Sequence, residues 1–156
     1  MEIRFAIPAD VPGIIDLLRQ VGQVHHEGRP DIFRAGAQKY SPSQVLAMLD
    51  NPQNPIFIAA EDGKVLGYCF CQMKTYDKDP VIADHTTCYI DDLCVDENRR
   101  GQHIGTILYN HALAYATEIG CTFLTLNVWC GNDGAQKFYE NAGMTPRSIT
   151  MEKKLC

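Results

Sequence analysis

The stretch from Tyr89 to Thr106 constrains this chain more than any other. Tyr89-Ile90-Asp91-Asp92-Leu93-Cys94-Val95 reads as a strand, and the charged run Asp96 to Arg100 ends it. Gly101 follows, and from Ile104 the apolar positions Ile107, Leu108, Ala112, Tyr115 and Ile119 recur at helical spacing. A helix that begins straight after a glycine turn leaves its first backbone N–H groups without carbonyl partners, with the positive end of the helix dipole behind them. Such an end suits an anion, and a pyrophosphate in particular. Arg99 and Arg100 add positive charge beside it. Many helices start after Arg-Gly for structural reasons alone, so the local physics leaves both readings open.

The rest of the chain must supply a sheet for this strand. Residues 2–7 form a first strand, and Pro8 and Asp10 suit the opening turn of a helix carrying Ile14, Leu17, Leu18 and Val21. The stretch from His25 to Tyr40 reads as a loop. Ser41-Pro42-Ser43-Gln44 has the form of a capping box, so a second helix runs to about Leu49, where Asn51-Pro52 stops it. Strands at residues 56–60 and 64–75 are joined by Asp62-Gly63, a strong hairpin signal. After the 87–95 strand and its helix come a strand at 123–129, a short helix capped by Asn132, and a last strand at about 147–153. The order is strand, two helices, three strands, helix, strand, helix, strand. That is a mixed α/β (α+β) sheet with helices on both faces, not a regular alternation. With 156 residues, one domain spanning 1–156 is expected.

Charge narrows the partners. A net charge of -5 argues against nucleic acid, which wants a basic face. A cationic small molecule or a basic peptide end suits that charge better. The seven cysteines are scattered, with no C-x-x-C pair for zinc, and read as reduced thiols of a cytoplasmic protein. No secretory leader or membrane-spanning run is visible. His25-His26-Glu27 and His85 are too far apart in sequence to argue for a metal site, and no metal is expected.

Arg100-Gly101-Gln102-His103-Ile104-Gly105 resembles the Q/R-x-x-G-x-G/A coenzyme-A signature of the GCN5-related N-acetyltransferases (GNAT family), except that His103 stands where the pattern has glycine. The resemblance runs from about Tyr89 to Lys153. It takes in the strand ending near Asn127 and the segment Asn132-Asp133-Gly134-Ala135-Gln136-Lys137-Phe138-Tyr139-Glu140-Asn141-Ala142-Gly143-Met144. It implies a mixed, mostly antiparallel sheet of six to seven strands, splayed between strands 4 and 5. It also implies an enzyme that moves an acetyl group from acetyl-CoA directly to an amine in a ternary complex. Leu93, Cys94, Val95, Arg100, Gly101, Gln102, His103, Ile104, Gly105, Thr106, Asn127, Asn132 and Tyr139 would then contact the coenzyme.

By the same resemblance Tyr139 donates a proton to the leaving thiolate. Asp91 falls where relatives that act on polyamines carry a base, while a water chain is the other route. Simple strand alternation sets Tyr89, Asp91, Leu93 and Val95 on one face, and Ile90, Asp92 and Cys94 on the other, with Asp92 a structural carboxylate. Glu27, Arg29, Asp31 and Phe33, in the loop between the first two helices, would form the acceptor lip, whereas Trp129 and Tyr89 read as core. Acceptors of this family include small-molecule amines and peptide or protein amines, and homodimers are common in such folds. The rival reading is a non-catalytic acyl-CoA binding or sensing module.

Overall fold

The computed structural model describes residues 1–156. The strands are β1 (Glu2–Phe5), β2 (Ile56–Glu61), β3 (Lys64–Tyr76), β4 (His85–Val95) and β5 (Phe123–Leu126), hydrogen-bonded in that order. All neighbours are antiparallel except β4 and β5, which are parallel. The helices are α1 (Val11–Gly28), α2 (Pro42–Leu49), α3 (Ile104–Glu118) and α4 (Asp133–Asn141).

The sheet separates two cores. On one face α1 and α2 bury Ile14, Leu17, Leu18 and Val45 against Ile56, Ile58, Tyr68 and Phe70. On the other, Ile104, Leu108, Ala112 and Ala116 form a stripe down α3, four residues apart, that covers Phe57, Leu66, Cys69 and Cys88. Phe138 and Tyr139 of α4 pack against that second core. Local signals fix several ends. The Ser41 hydroxyl accepts from the Gln44 amide at 3.2 Å while Gln44 Oε1 accepts from the Ser41 amide at 2.8 Å, which completes the capping box. Asp10 accepts from Arg4 at 2.7 Å and from the Ile7 amide at 2.8 Å, pinning β1 to the helix that follows.

Three expectations change. Helix α1 runs through Gly28, so His25 and Glu27 lie on its last turns and not in a loop. β5 stops at Leu126 instead of continuing to Trp129. Residues 147–153 form no strand, so the sheet has five strands rather than six or seven. Ile149 and Met151 alternate as in a strand, but alternation does not supply a backbone partner. The segment is held by side chains instead: Arg29 Nη1 meets Glu152 Oε1 at 2.6 Å, and Arg147 lies 5.2 Å over the Phe123 ring.

Candidate active site

A β-bulge organises the site. Phe70 pairs with Asp92 and the next residue, Cys71, pairs with Ile90, which leaves Asp91 as an extra residue on β4. The bulge resets the alternation. Asp91 and Asp92 therefore face the same side, toward α1 and α2, while Ile90 joins Leu93 and Val95 on the α3 side. This corrects the simple alternation, which separates the two carboxylates. Asp91 receives a hydrogen bond from the Tyr40 hydroxyl at 2.5 Å and an ion pair from Lys39 Nζ at 3.0 Å. Asp92 receives one from the Tyr68 hydroxyl at 2.8 Å. Burial pushes the Asp92 carboxyl above the usual range, against the opposing effect of that hydrogen bond. Burial, then Asp91, push the Tyr40 hydroxyl up in turn.

The sheet forks beside the bulge. Pairing of β4 with β5 ends at Ile90 with Leu126, so β4 from Asp91 to Val95 has no neighbour on that edge. Asn127 spans the fork, its side-chain amide donating to the Tyr89 hydroxyl at 3.1 Å. The expected splay between strands 4 and 5 is thus present, and Leu93, Cys94 and Val95 line its free edge. The Cys94 side chain takes no part, since its thiol is buried against α1 and points to the Leu17 carbonyl at 3.7 Å. Burial raises that thiol to about 12.

Helix α3 begins at the open end of β4. Its first backbone i→i−4 bond runs from the Ile107 amide to the His103 carbonyl, so the amides of Ile104, Gly105 and Thr106 precede the ladder. Gly101 and His103 are both left-handed, with φ of +80° and +61°. Left-handed backbone at position 103 explains why the family signature has glycine there, and histidine is among the side chains that tolerate it. The His103 ring is exposed and makes no capping bond. Arg99 turns away to Glu61 at 2.6 Å and to Gln102 at 3.1 Å, which leaves the exposed Arg100 as the arginine available beside the helix end. Gly67 lets α3 come this close. A Cβ there would meet the Cys94 carbonyl oxygen at 2.9 Å and the Leu108 side chain at 3.0 Å.

Tyr139 sits on α4 across the sheet from the two aspartates, half-buried among Tyr109 and Phe138. Burial pushes its hydroxyl well above the ordinary tyrosine value, so it stays protonated. Asn132 caps α4 through the Ala135 amide at 3.2 Å.

Beyond the fork lies a cleft of about 180 Å³ between the end of α1 and the β5–α4 connection. Phe33 stacks on His25 at 4.9 Å and meets Trp129 edge-on at 5.1 Å, with the Arg29 guanidinium 5.9 Å from the Trp129 ring. Trp129 is 42% exposed, a cleft wall and not the core residue expected from sequence. Arg29 holds Asp31 at 2.9 Å and lowers its carboxyl to about 2. Glu27, by contrast, bonds only to Gln23 on the outer face of α1. Sequence reasoning did not single out Lys39, Tyr40 or Tyr68. Their contacts with the aspartates arise from long-range packing and the bulge, and no local pattern signals either.

The sequence matches the Acetyltransferase (GNAT) family over residues 23–144, and the chain belongs to that family. An uncharacterized N-acetyltransferase of Methanocaldococcus jannaschii is 28% identical over 65% of this chain and 44% of its own length. A putative [ribosomal protein bS18]-alanine N-acetyltransferase of Bacillus subtilis is also 28% identical, over 65% of this chain and 61% of its own length. The chain therefore spans less than two thirds of either relative. A mutant of the BH1408 protein from Bacillus halodurans superposes with a TM-score of 0.94 at 30% identity, covering 100% of both chains. Glucosamine-6-phosphate N-acetyltransferase from Arabidopsis thaliana shares the fold, with a TM-score of 0.72 at 20% identity over 99% of this chain and 98% of that one. No helix is long and apolar enough to cross a membrane.

Proposed function

We propose that the protein is an acetyl-CoA-dependent N-acetyltransferase that moves the acetyl group directly to an amine. One observation carries the reading. The free edge of β4 runs from the exposed start of α3 to a pair of carboxylates, with a protonated tyrosine on the opposite side. The amides at the start of α3, with Arg100, suit the pyrophosphate, and the unpaired edge from Leu93 to Val95 suits the pantetheine, which can hydrogen-bond as a strand does. The thioester would then end near the bulge, where a main-chain N–H can polarise its carbonyl.

An ammonium group has no lone pair, so the acceptor must first lose a proton. Asp91 at the fork takes it, directly or through water. The amine nitrogen attacks the thioester carbonyl and sheds its second proton to solvent, the carbon–sulfur bond breaks, and the thiolate takes a proton from Tyr139, which solvent replaces. The Phe33–Trp129 cleft, whose Arg29 is paired with Asp31 and Glu152, offers an aromatic wall to a small or peptidic acceptor. The B. subtilis relative, a putative [ribosomal protein bS18]-alanine N-acetyltransferase, is named for a peptidic acceptor of that kind.

Tyr139→Phe tests the reading. Turnover on an accepted amine falls by about 10²-fold or more, the size of a lost general acid, while acetyl-CoA affinity is nearly unchanged. Parallel losses in turnover and affinity would remove Tyr139 from the chemistry. Coenzyme binding with no turnover on any amine would favour a sensing module.

A further inference from the structure

Lys39 stands where an outside amine would have to stand. Its Nζ lies 3.0 Å from Asp91 Oδ1 and 3.4 Å from the Asp91 main-chain oxygen. Asp91 is the first residue of β4 beyond the last pair with β5, so this amine is at the throat of the fork. The contact is anchored, not incidental. The neighbouring Tyr40 bonds to the same carboxylate and stacks on Phe70 at 5.5 Å, and Ser41 then caps α2. The Lys39 side chain is 44% exposed while that of Asp91 is 10% exposed, so the amine keeps a route for its proton to water. Of the seven lysines in the sequence, Lys39 is the one ion-paired with a carboxylate. Lys74, on β3 opposite Thr87, has its ammonium 4.1 Å over the Tyr89 ring and no ion-paired carboxylate beside it.

We propose that Lys39 is an intramolecular acetyl acceptor, so that the protein acetylates its own Lys39 from acetyl-CoA. The inference rests on the N-acetyltransferase reading above. The Lys39 ammonium passes a proton through the Asp91 carboxylate to water. Its nitrogen then forms a bond to the thioester carbonyl carbon and gives up its second proton to solvent by way of Asp91, the carbon–sulfur bond breaks, and the departing thiolate takes the Tyr139 proton, which solvent replaces. The products are acetyl-lysine and coenzyme A, with no change of oxidation state. Acetylation removes the positive charge that neutralises Asp91 and frees that carboxylate for a cationic acceptor.

The test incubates the wild-type protein with acetyl-CoA and no other amine, and follows each lysine by peptide mass spectrometry. Lys39 should gain its acetyl group about 10²-fold faster than Lys74, the lower range of what a placed acid and base contribute. The rate constant should not depend on protein concentration. Lys39→Arg, which keeps the ion pair, should abolish the fast site, and Asp91→Asn should slow it. Uniform slow labelling of all lysines, or a rate proportional to protein concentration, overturns the proposal. A parallel sample with a panel of amines separates the two claims. Turnover of an outside amine with Lys39 unmodified overturns the self-acetylation and leaves the enzyme reading intact. No thioester cleavage in either sample overturns the enzyme reading itself.

Discussion

His103→Gly should stabilise the protein and sharpen its hold on the coenzyme. His103 has φ of +61° and ψ of +17°, within the left-handed region, and its ring makes no capping bond in return. A left-handed residue with a Cβ costs about 1–2 kcal/mol relative to its right-handed form. Glycine removes that strain but gives back roughly 0.5–1 kcal/mol through the greater freedom of the unfolded chain. The net gain is about 0.5–1 kcal/mol, which for a chain of this size raises Tm by about 1–4 °C. His103→Ala is the control, because it discards the ring and keeps the strain, so its Tm should be unchanged or lower. Thermal unfolding of the three proteins side by side reads this directly. A glycine variant no more stable than the alanine variant would refute the strain argument. Acetyl-CoA titration of the same samples should show tighter binding by the glycine variant, since no side chain then stands beside the α3 amides.

Other substitutions probe the sheet and the carboxylate pair. Gly67→Ala drives a methyl into the Cys94 carbonyl and Leu108. Overpacking of that kind costs about 1–3 kcal/mol, and because it lifts the start of α3, acetyl-CoA affinity should fall with Tm; unchanged affinity would uncouple α3 docking from the site. Asp92→Asn should become relatively more stabilising as pH rises. Burial raises the Asp92 carboxyl above its ordinary 3.8, so the folded state binds the proton more tightly than the unfolded. That contribution is complete below 3.8 and is lost as pH climbs through the raised value. Urea unfolding of both proteins across that window checks the sign, and a constant difference would show that Asp92 is not shifted.

Much of this architecture is visible in short sequence signals. The Ser41-Pro42-Ser43-Gln44 box, the Asp62-Gly63 hairpin and the α3 stripe each fix an element through contacts within a few residues, and each appears where expected. The Arg-Gly turn announces the start of α3 for the same reason. Legibility fails where geometry depends on distant partners. The bulge at Asp91 follows from the register of β3 against β4, and a period-two reading of one strand cannot see it. Residues 147–153 alternate like a strand yet lack a backbone partner. Trp129 looks like core by type, but β5 ends three residues earlier and the ring turns to Phe33. The same long-range packing brings Lys39 and Tyr40 onto Asp91 from 51 or more residues away.

The start of α3 and the free edge of β4 are proposed to hold acetyl-CoA. Calorimetric titration of the wild-type protein with acetyl-CoA, coenzyme A and ATP tests this without a thiol dye, to which the exposed Cys130 and Cys156 would respond. Both coenzymes should bind with micromolar affinity, and ATP much more weakly because it lacks the pantetheine that would lie along β4. Absence of binding, or equal binding of ATP, would contradict it.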